Sequence, residues 1–194
     1  GRQTGSSETI NGDINGNQVR PAAGKVTIKG NVISGNGPVL QGVGNLTDNG
    51  GGAHGCVIQG NWIGTDATGT LPIGNRSWGI LLGDQVSTVG GTLPGEGNVI
   101  AYNNTGVGYT CCTPLNHSPI RGNSIYSNEG GSGGAGLGID LAIDGVTLND
   151  LGDADTGPND RQNFPIIASA LPAGGSTTVR VTLNPLADTT STIA

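Results

Sequence analysis

The chain repeats the sequence Gly-Asn-x-Ile four times, and this repeat limits the available folds more than any other feature. The copies begin at Gly30, Gly60, Gly97 and Gly122, so their asparagines lie 30, 37 and 25 residues apart. A repeat of this size with variable intervals is typical of a solenoid whose coils carry loops of different lengths. Short β-rich runs, such as residues 26–33, alternate with Gly/Asn turns, and no window has a convincing helical period.

In a stack of coils, each residue of the Gly-Asn-x-Ile repeat would have a structural role. Each coil would pair its backbone with the next at the ~4.8 Å spacing of neighbouring strands. The repeated asparagines would form a hydrogen-bonded ladder, and the glycine before each suits a corner with positive φ. We therefore predict an all-β fold, a parallel β-helix, rather than an antiparallel sandwich of short strands. The residues expected inside are Ile28, Ile33, Ile58, Ile63, Ile100, Ile120 and Ile125.

The composition excludes several other classes of protein. Glycine accounts for 38 of 194 residues, but it lacks the period of collagen, and the spaced Val and Ile residues argue against a disordered linker. The net charge is −6 and no basic patch with interleaved aromatic residues is present, so nucleic acid is not an expected partner. No stretch approaches ~18 consecutive apolar residues, so no membrane-spanning helix is expected. Few lysines and many Asn, Thr and Gly residues favour a secreted or surface protein.

Four longer segments carry a family resemblance: GNWIGTDATGTLPIGN (60–75), TVGGTLPGEGNVIAYN (88–103), GNSIYSN (122–128), and LGIDL (137–141) followed by DADTGPNDRQNFP (153–165). They resemble the right-handed parallel β-helix repeat proteins of bacteria, which are secreted or surface proteins with a pectin-lyase-like fold. The resemblance covers about residues 26–167 and implies a right-handed β-helix there; with residues 1–25 as a rough first coil, we expect the β-helix to span residues 1–167. It implies no single activity, because the wider superfamily contains lyases, hydrolases, esterases and structural stalks, and no catalytic residue is carried over.

Residues 168–194 differ in character from the repeats. The alternating run at 176–183 predicts a strand with one buried face. This tail looks like the start of a following β-sandwich module in a larger chain. Alternatively, it folds back to cap the open end of the coils, and we favour the cap because a lone strand must pair somewhere.

An acidic cluster follows the repeats. Asp150, Asp153, Asp155 and Asp160 lie within eleven residues, with Gly157 among them. Oxygen ligands at alternate positions are typical of loops that bind Ca²⁺, so calcium is the one cofactor that the sequence predicts. The alternative is a solvated loop closed by its own Asp and Asn side chains.

All cysteine and histidine residues precede Gly-Asn-x-Ile strands. They are His54, Cys56, Cys111, Cys112 and His117. A disulfide from Cys56 to Cys111 or Cys112, or buried thiols, is the preferred interpretation, since a secreted protein lies in an oxidising environment. A zinc site and a Cys-His nucleophile are the alternatives.

Two further groups could contact a ligand. Asp66 and Asp84 follow strand ends, where carboxylates can point into a groove and hydrolyse glycosides with help from His54, although aspartate also caps turns. Trp62, Trp78, Tyr102 and Tyr109 could align on stacked coils as flat platforms for sugar rings.

We therefore expect a secreted or cell-surface β-helix that recognises polysaccharide. A polysaccharide lyase or glycoside hydrolase and a purely structural spacer are the alternatives.

Overall fold

The protein is an all-β chain built largely of short strands. The computed structural model describes residues 7–10, 14–15, 25–35, 46–47, 56–83, 86–109, 117–129 and 136–182. Within these ranges the only helical element is the 3₁₀ turn η1 (Pro158–Arg161). The strands are β1 (Ser7–Ile10), β2 (Ile14–Asn15), β3 (Lys25–Lys29), β4 (Val32–Ser34), β5 (Leu46–Thr47), β6 (Val57–Gln59), β7 (Trp62–Ile63), β8 (Trp78–Leu82), β9 (Thr88–Gly90), β10 (Val99–Ala101), β11 (Thr105–Tyr109), β12 (Ile120–Arg121), β13 (Ser124–Tyr126), β14 (Ile139–Leu141), β15 (Ile166–Ala173) and β16 (Ser176–Thr182).

Fourteen of these strands form three sheets, and all neighbouring strands in the three sheets are parallel. Sheet 1 has the order β1-β3-β6-β9-β12, sheet 2 the order β2-β4-β7-β10-β13, and sheet 3 the order β5-β8-β11-β14. From β3 onward, successive strands along the chain join sheets 1, 2 and 3 in turn. Each later repeat therefore adds one strand to every sheet.

The three sheets share one apolar core. Register pairs place Ile28 beside Ile58 in sheet 1, Ile33 beside Ile63 in sheet 2, and Ile80 beside Val107 in sheet 3. These side chains belong to a single buried cluster. The predicted inward isoleucines are confirmed: Ile28, Ile33, Ile58, Ile63 and Ile100 are buried, and Ile120 and Ile125 are partly buried against the cluster.

A corner separates sheet 1 from sheet 2 at each Gly-Asn pair. The β-rich run at 26–33 divides there into two strands, since β3 ends at Lys29 and β4 begins at Val32. Gly30, Gly60 and Gly122 have the expected positive φ of 64–69°. Gly97 does not, and glycine is required there for a different reason: a side chain would overlap the carbonyl oxygen of Gly122 in the next repeat.

The asparagine ladder predicted from the repeat is present. The side-chain amide of Asn31 donates to Oδ1 of Asn61, and that of Asn98 donates to Oδ1 of Asn123, at 3.0 and 2.8 Å. A second ladder joins Asn75, Asn103 and Asn128 in the same way. Asn36, which follows the first copy of the repeat as Asn103 and Asn128 follow later copies, lies outside the described residues. The ladders satisfy polar groups that the corners would otherwise leave buried and unpaired.

The C-terminal part forms a separate two-stranded sheet. Strands β15 and β16 pair in antiparallel fashion, with an irregularity between Ile167 and Ser169. The strand predicted at 176–183 corresponds to β16, but all its side chains are exposed, so neither face is buried. The cap and the β-sandwich module both stay predictions. No helix in the described ranges is long and apolar enough to cross a membrane.

Candidate functional site on the outer face of sheet 2

The outer face of sheet 2 carries a column of register-paired side chains. Val32 pairs with Trp62, and Trp62 pairs with Val99. Because neighbouring residues of a strand point to opposite faces, the complete burial of Ile63 places Trp62 on the outside. The indole is partly exposed between two valines, as the sequence predicted. Ser124 of β13 continues the column.

A loop from the second repeat, residues 65–72, reaches across this face. The hydroxyl of Tyr126 donates to the carbonyl oxygen of Gly69 at 2.5 Å, and that of Tyr102 donates to the carbonyl oxygen of Thr70 at 3.5 Å. The two tyrosine rings contact each other edge to face, with centroids 5.8 Å apart. Val99 also lies close to Gly69. The loop is therefore held over the strands of the third and fourth repeats.

Asp66 organises this loop. Its carboxylate accepts hydrogen bonds from the Thr68 hydroxyl at 2.7 Å and from the backbone N–H groups of Thr70 and Leu71 at 3.0 Å. The Thr68 hydroxyl, followed by the N–H of Leu71, lowers the pKa of Asp66 well below its usual range. The group stays ionised and hydrogen-bonded to its own loop, which suits a turn-organising residue better than a proton donor. Asp84 and His54, the other predicted catalytic residues, lie outside the described residues.

The predicted aromatic row is divided between two sheets. Trp78 belongs to β8 of sheet 3, where its partly buried indole lies against Gly108 of β11. The expectation that Tyr109 offers a surface for a sugar is wrong, because its side chain is completely buried. Its hydroxyl accepts a hydrogen bond from Oγ of Ser118 at 3.1 Å, inside the core. Of the four predicted aromatic residues, Trp62 and Tyr102 therefore lie on or beside the outer face of sheet 2, and the ring of Tyr126 contacts that of Tyr102.

Tyr126 is one of the aromatic residues that stacked coils could align, but the four predicted binding residues did not include it, although its signal was available. In Gly-Asn-Ser-Ile-Tyr the tyrosine follows the inward Ile125, so strand alternation sends its ring outward. Tyr126 is 37% exposed and is the register partner of Ala101. The larger side chain at this position is what lets the fourth repeat reach the loop of the second.

The acidic segment closes on itself through its own amides. The Asn163 side chain pairs with the backbone of Asp150, accepting from its N–H at 3.0 Å and donating to its carbonyl oxygen at 2.9 Å. Asp153 accepts from the N–H of Asn163, and Asp150 accepts from the N–H of Ala154. In the described ranges no three acidic, His or Cys side chains gather into a group that could hold a metal ion. Calcium stays a prediction.

Asp140, within the LGIDL segment, is a buried acid that sequence reasoning did not single out. It is 3% exposed, and its Oδ1 accepts a hydrogen bond from the N–H of Gly145 at 3.2 Å. Burial raises the pKa of Asp140, and the neighbouring Asp144 adds to the shift. The sequence signal was weak, because an aspartate after an isoleucine in a strand is expected on a solvated face.

Of the cysteine and histidine residues, the structure describes only Cys56 and His117. Cys56 is buried at the start of β6 and belongs to the core cluster. Cys111, Cys112 and His54 lie outside the described residues, so the disulfide and zinc interpretations stay predictions. His117 is exposed, and its Nε2 lies 2.7 Å from Oδ2 of Asp160.

Comparison of the chain with protein-family models, with curated proteins and with solved structures finds no significant match in any of the three.

Proposed function

We propose that the three parallel sheets are the faces of a right-handed parallel β-helix and that this β-helix is a secreted or cell-surface module that recognises polysaccharide. Two observations support a β-helix: successive strands along the chain join sheets 1, 2 and 3 in turn, and the three sheets share one core. The asparagine ladders at the corners support it too, since they require repeats stacked in register. The secreted or surface location rests on the composition alone.

The observation that carries the binding proposal is the partly exposed Trp62 on the outer face of sheet 2. The chain has six aromatic residues, and three of them, Trp62, Tyr102 and Tyr126, lie on or beside this face. Flat aromatic rings next to hydroxyl groups are suited to sugars, whose C–H faces stack on rings while their hydroxyls hydrogen-bond. Thr68 and Thr70 bring hydroxyls to the same loop.

The hydrogen bonds of Asp66 argue against this residue as the proton donor of a glycoside hydrolase. A glycoside hydrolase needs one carboxyl that gives up a proton near neutral pH and a second group that acts as nucleophile or base. Asp66 is held in its ionised form by hydrogen bonds within the loop, so it is a poor proton donor. A lyase or hydrolase would have to place its acid elsewhere in the chain.

A structural spacer is the second candidate function, and the two asparagine ladders favour it. They use buried and partly buried amides to join repeats 25 to 37 residues apart. A rigid rod that positions other domains would need nothing more.

A screen of neutral and acidic polysaccharides on an array, combined with chromogenic glycoside substrates, separates the candidates. The full chain is tested with and without calcium. Retention on a defined polysaccharide without turnover supports the binding module. Turnover supports a lyase or hydrolase, and loss of that turnover in Asp66→Asn would assign the reaction to the loop. If no polysaccharide is retained, the spacer replaces the binding proposal.

A further inference from the structure

Among the described residues, the outermost strands of sheets 1, 2 and 3 are β1, β2 and β5 at one end and β12, β13 and β14 at the other. β1 and β2 precede the repeat that holds β5, so sheets 1 and 2 extend one repeat further at the first end. In a parallel stack the two ends of a sheet are complementary, because each interior strand already uses both edges in this way. An exposed edge is a template for another chain. A second copy placed head to tail would therefore extend sheets 1 and 2, with β12 beside its β1 and β13 beside its β2.

The backbone register also continues to both ends. At the first end, Ile10 is the register partner of Ile28, Ile14 of Ile33, and Leu46 of Ile80. At the last end, Ile139 pairs with Val107. Val107 is completely buried, whereas Ile139 is 41% exposed because no further strand covers it among the described residues. A second copy is the partner whose register matches this surface.

A side chain occupies the place of a neighbouring strand at one of these edges. Just before β12, the N–H of Ser118 donates to Oδ1 of Asn159 at 2.8 Å, and Nδ2 of Asn159 donates to the carbonyl oxygen of Ser118 at 3.0 Å. One asparagine amide thus makes both hydrogen bonds that a paired strand residue would make. Ser118 is 2% exposed, so these bonds are protected from water.

Two ion pairs hold the turn that carries Asn159. His117 lies 2.7 Å from Asp160, and Arg161 lies 2.8 Å from Asp144. Both pairs are partly exposed, so each stabilises little; the first positions η1 beside the start of β12, and the second ties it to the segment after β14. Asn159 and Asp160 both have positive φ, a conformation that asparagine and aspartate tolerate better than most residues.

We propose that residues 157–161 form a cap that closes the edge of β12 against a second copy of this chain. The cap keeps the protein monomeric by occupying the edge at which head-to-tail stacking would begin. η1 also lies beside β14, and Asn159 is its residue that forms both edge hydrogen bonds with Ser118.

The test removes the cap while leaving the backbone conformation accessible. Asn159→Gly combined with Asp160→Gly deletes both contacts at positions with φ of 47 and 52°, where glycine is unstrained. Asp153→Gly is the matched control, since it has φ of 52° and its carboxylate bonds only within the acidic segment. Sedimentation velocity is measured over a concentration series, with circular dichroism as the check on folding.

We expect the wild-type protein and Asp153→Gly to stay monomeric, while the double variant forms an open series of dimers, trimers and larger species. A head-to-tail contact does not close, so the series has no fixed end. A folded double variant that stays monomeric overturns the proposal. A dimer without larger species overturns the head-to-tail arrangement, and an oligomeric wild type overturns the role of the cap.

Hydrogen exchange decides the question if the double variant does not fold. The amide of Ser118 in the wild-type protein should exchange at least about tenfold more slowly than in the single variant Asn159→Gly. Exchange of Ser118 in the wild type at the rate of an exposed amide would overturn the cap without any need for the variants.

Discussion

The amide of Asn61 donates to Oδ1 of Asn98 at 2.9 Å, although the two residues lie 37 positions apart in the chain. The backbone N–H of Asn61 donates to the same oxygen at 3.0 Å. Asn98 in turn donates to the carbonyl oxygen of Ile58 at 2.8 Å and to Oδ1 of Asn123. One buried side chain thus connects three successive repeats, so the stability of the stack depends on it.

Asn98→Ala should lower the free energy of unfolding by about 3 kcal/mol or more, because it leaves several buried polar groups without partners. Urea denaturation measures the change. Gln162→Ala, at an exposed position, is the control and should stay within about 0.5 kcal/mol of wild type. A loss below about 1 kcal/mol for Asn98→Ala would show that water or neighbouring groups replace the ladder.

Gly74 is required by a close approach between two backbones. A side chain at this position would overlap the carbonyl oxygen of Tyr102 in the following repeat. Gly74→Ala should therefore lower the free energy of unfolding by more than about 2 kcal/mol. Gly138→Ala is the matched control, because its added methyl would make an ordinary 3.4 Å contact with Ile125. Equal effects of the two substitutions in urea would count against the close approach.

The loop at 65–72 should make stability depend on acid pH through Asp66. Its folded pKa is depressed below the ordinary 3.8, so the hydrogen bonds of the carboxylate stabilise the protein above that value. The stabilisation is lost as the pH falls from 3.8 through the lower folded pKa. Wild type should therefore have a higher Tm than Asp66→Asn above about pH 5, and the gap should shrink in stronger acid. A gap that is the same at every pH would exclude this role for the charge.

Asp140 should have the opposite pH dependence. Its folded pKa is raised by burial, so folding favours the protonated acid, and stability is lost as the pH rises from 3.8 through the folded pKa. Asp140→Asn keeps an acceptor for the N–H of Gly145 but carries no charge. The variant should gain in Tm relative to wild type between acid and neutral pH. A pH-independent difference between the two proteins would contradict a desolvated carboxylate.

The stacked repeats were predictable from the sequence because one motif carries several constraints together. In Gly-Asn-x-Ile the isoleucine defines the inward face, the asparagine supplies the ladder, and the glycine permits the corner. Each constraint recurs at every copy, so Ile33, Ile63 and Ile100 were assigned to the core correctly. Right-handed coiling and the function stay proposals, because no repeated residue encodes them.

The residues between the repeats were harder to predict, because their partners lie in other repeats. Tyr109 was expected outside, but all five residues of β11 are buried. Gly106 and Gly108 bring no side chains to that strand, and Trp78 covers Gly108, so the usual alternation gives no signal. The bonds from Tyr102 and Tyr126 to the loop at 65–72 span 32 and 57 residues, a separation that local patterns do not encode.

Trp62→Ala should weaken polysaccharide binding at least tenfold, about 1.4 kcal/mol, if the outer face of sheet 2 is the binding surface. Phe164→Ala is the matched control, because Phe164 is 44% exposed and belongs to no strand of sheet 2. Binding by ring stacking involves no ion pairs, so raising the salt concentration should leave the wild-type affinity nearly unchanged. Isothermal titration at low and high salt measures both effects. Equal affinities of Trp62→Ala and Phe164→Ala for a polysaccharide that binds would place the binding surface elsewhere on the chain. A steep loss of wild-type affinity with added salt would show that the polysaccharide is recognised by ion pairs rather than by ring stacking.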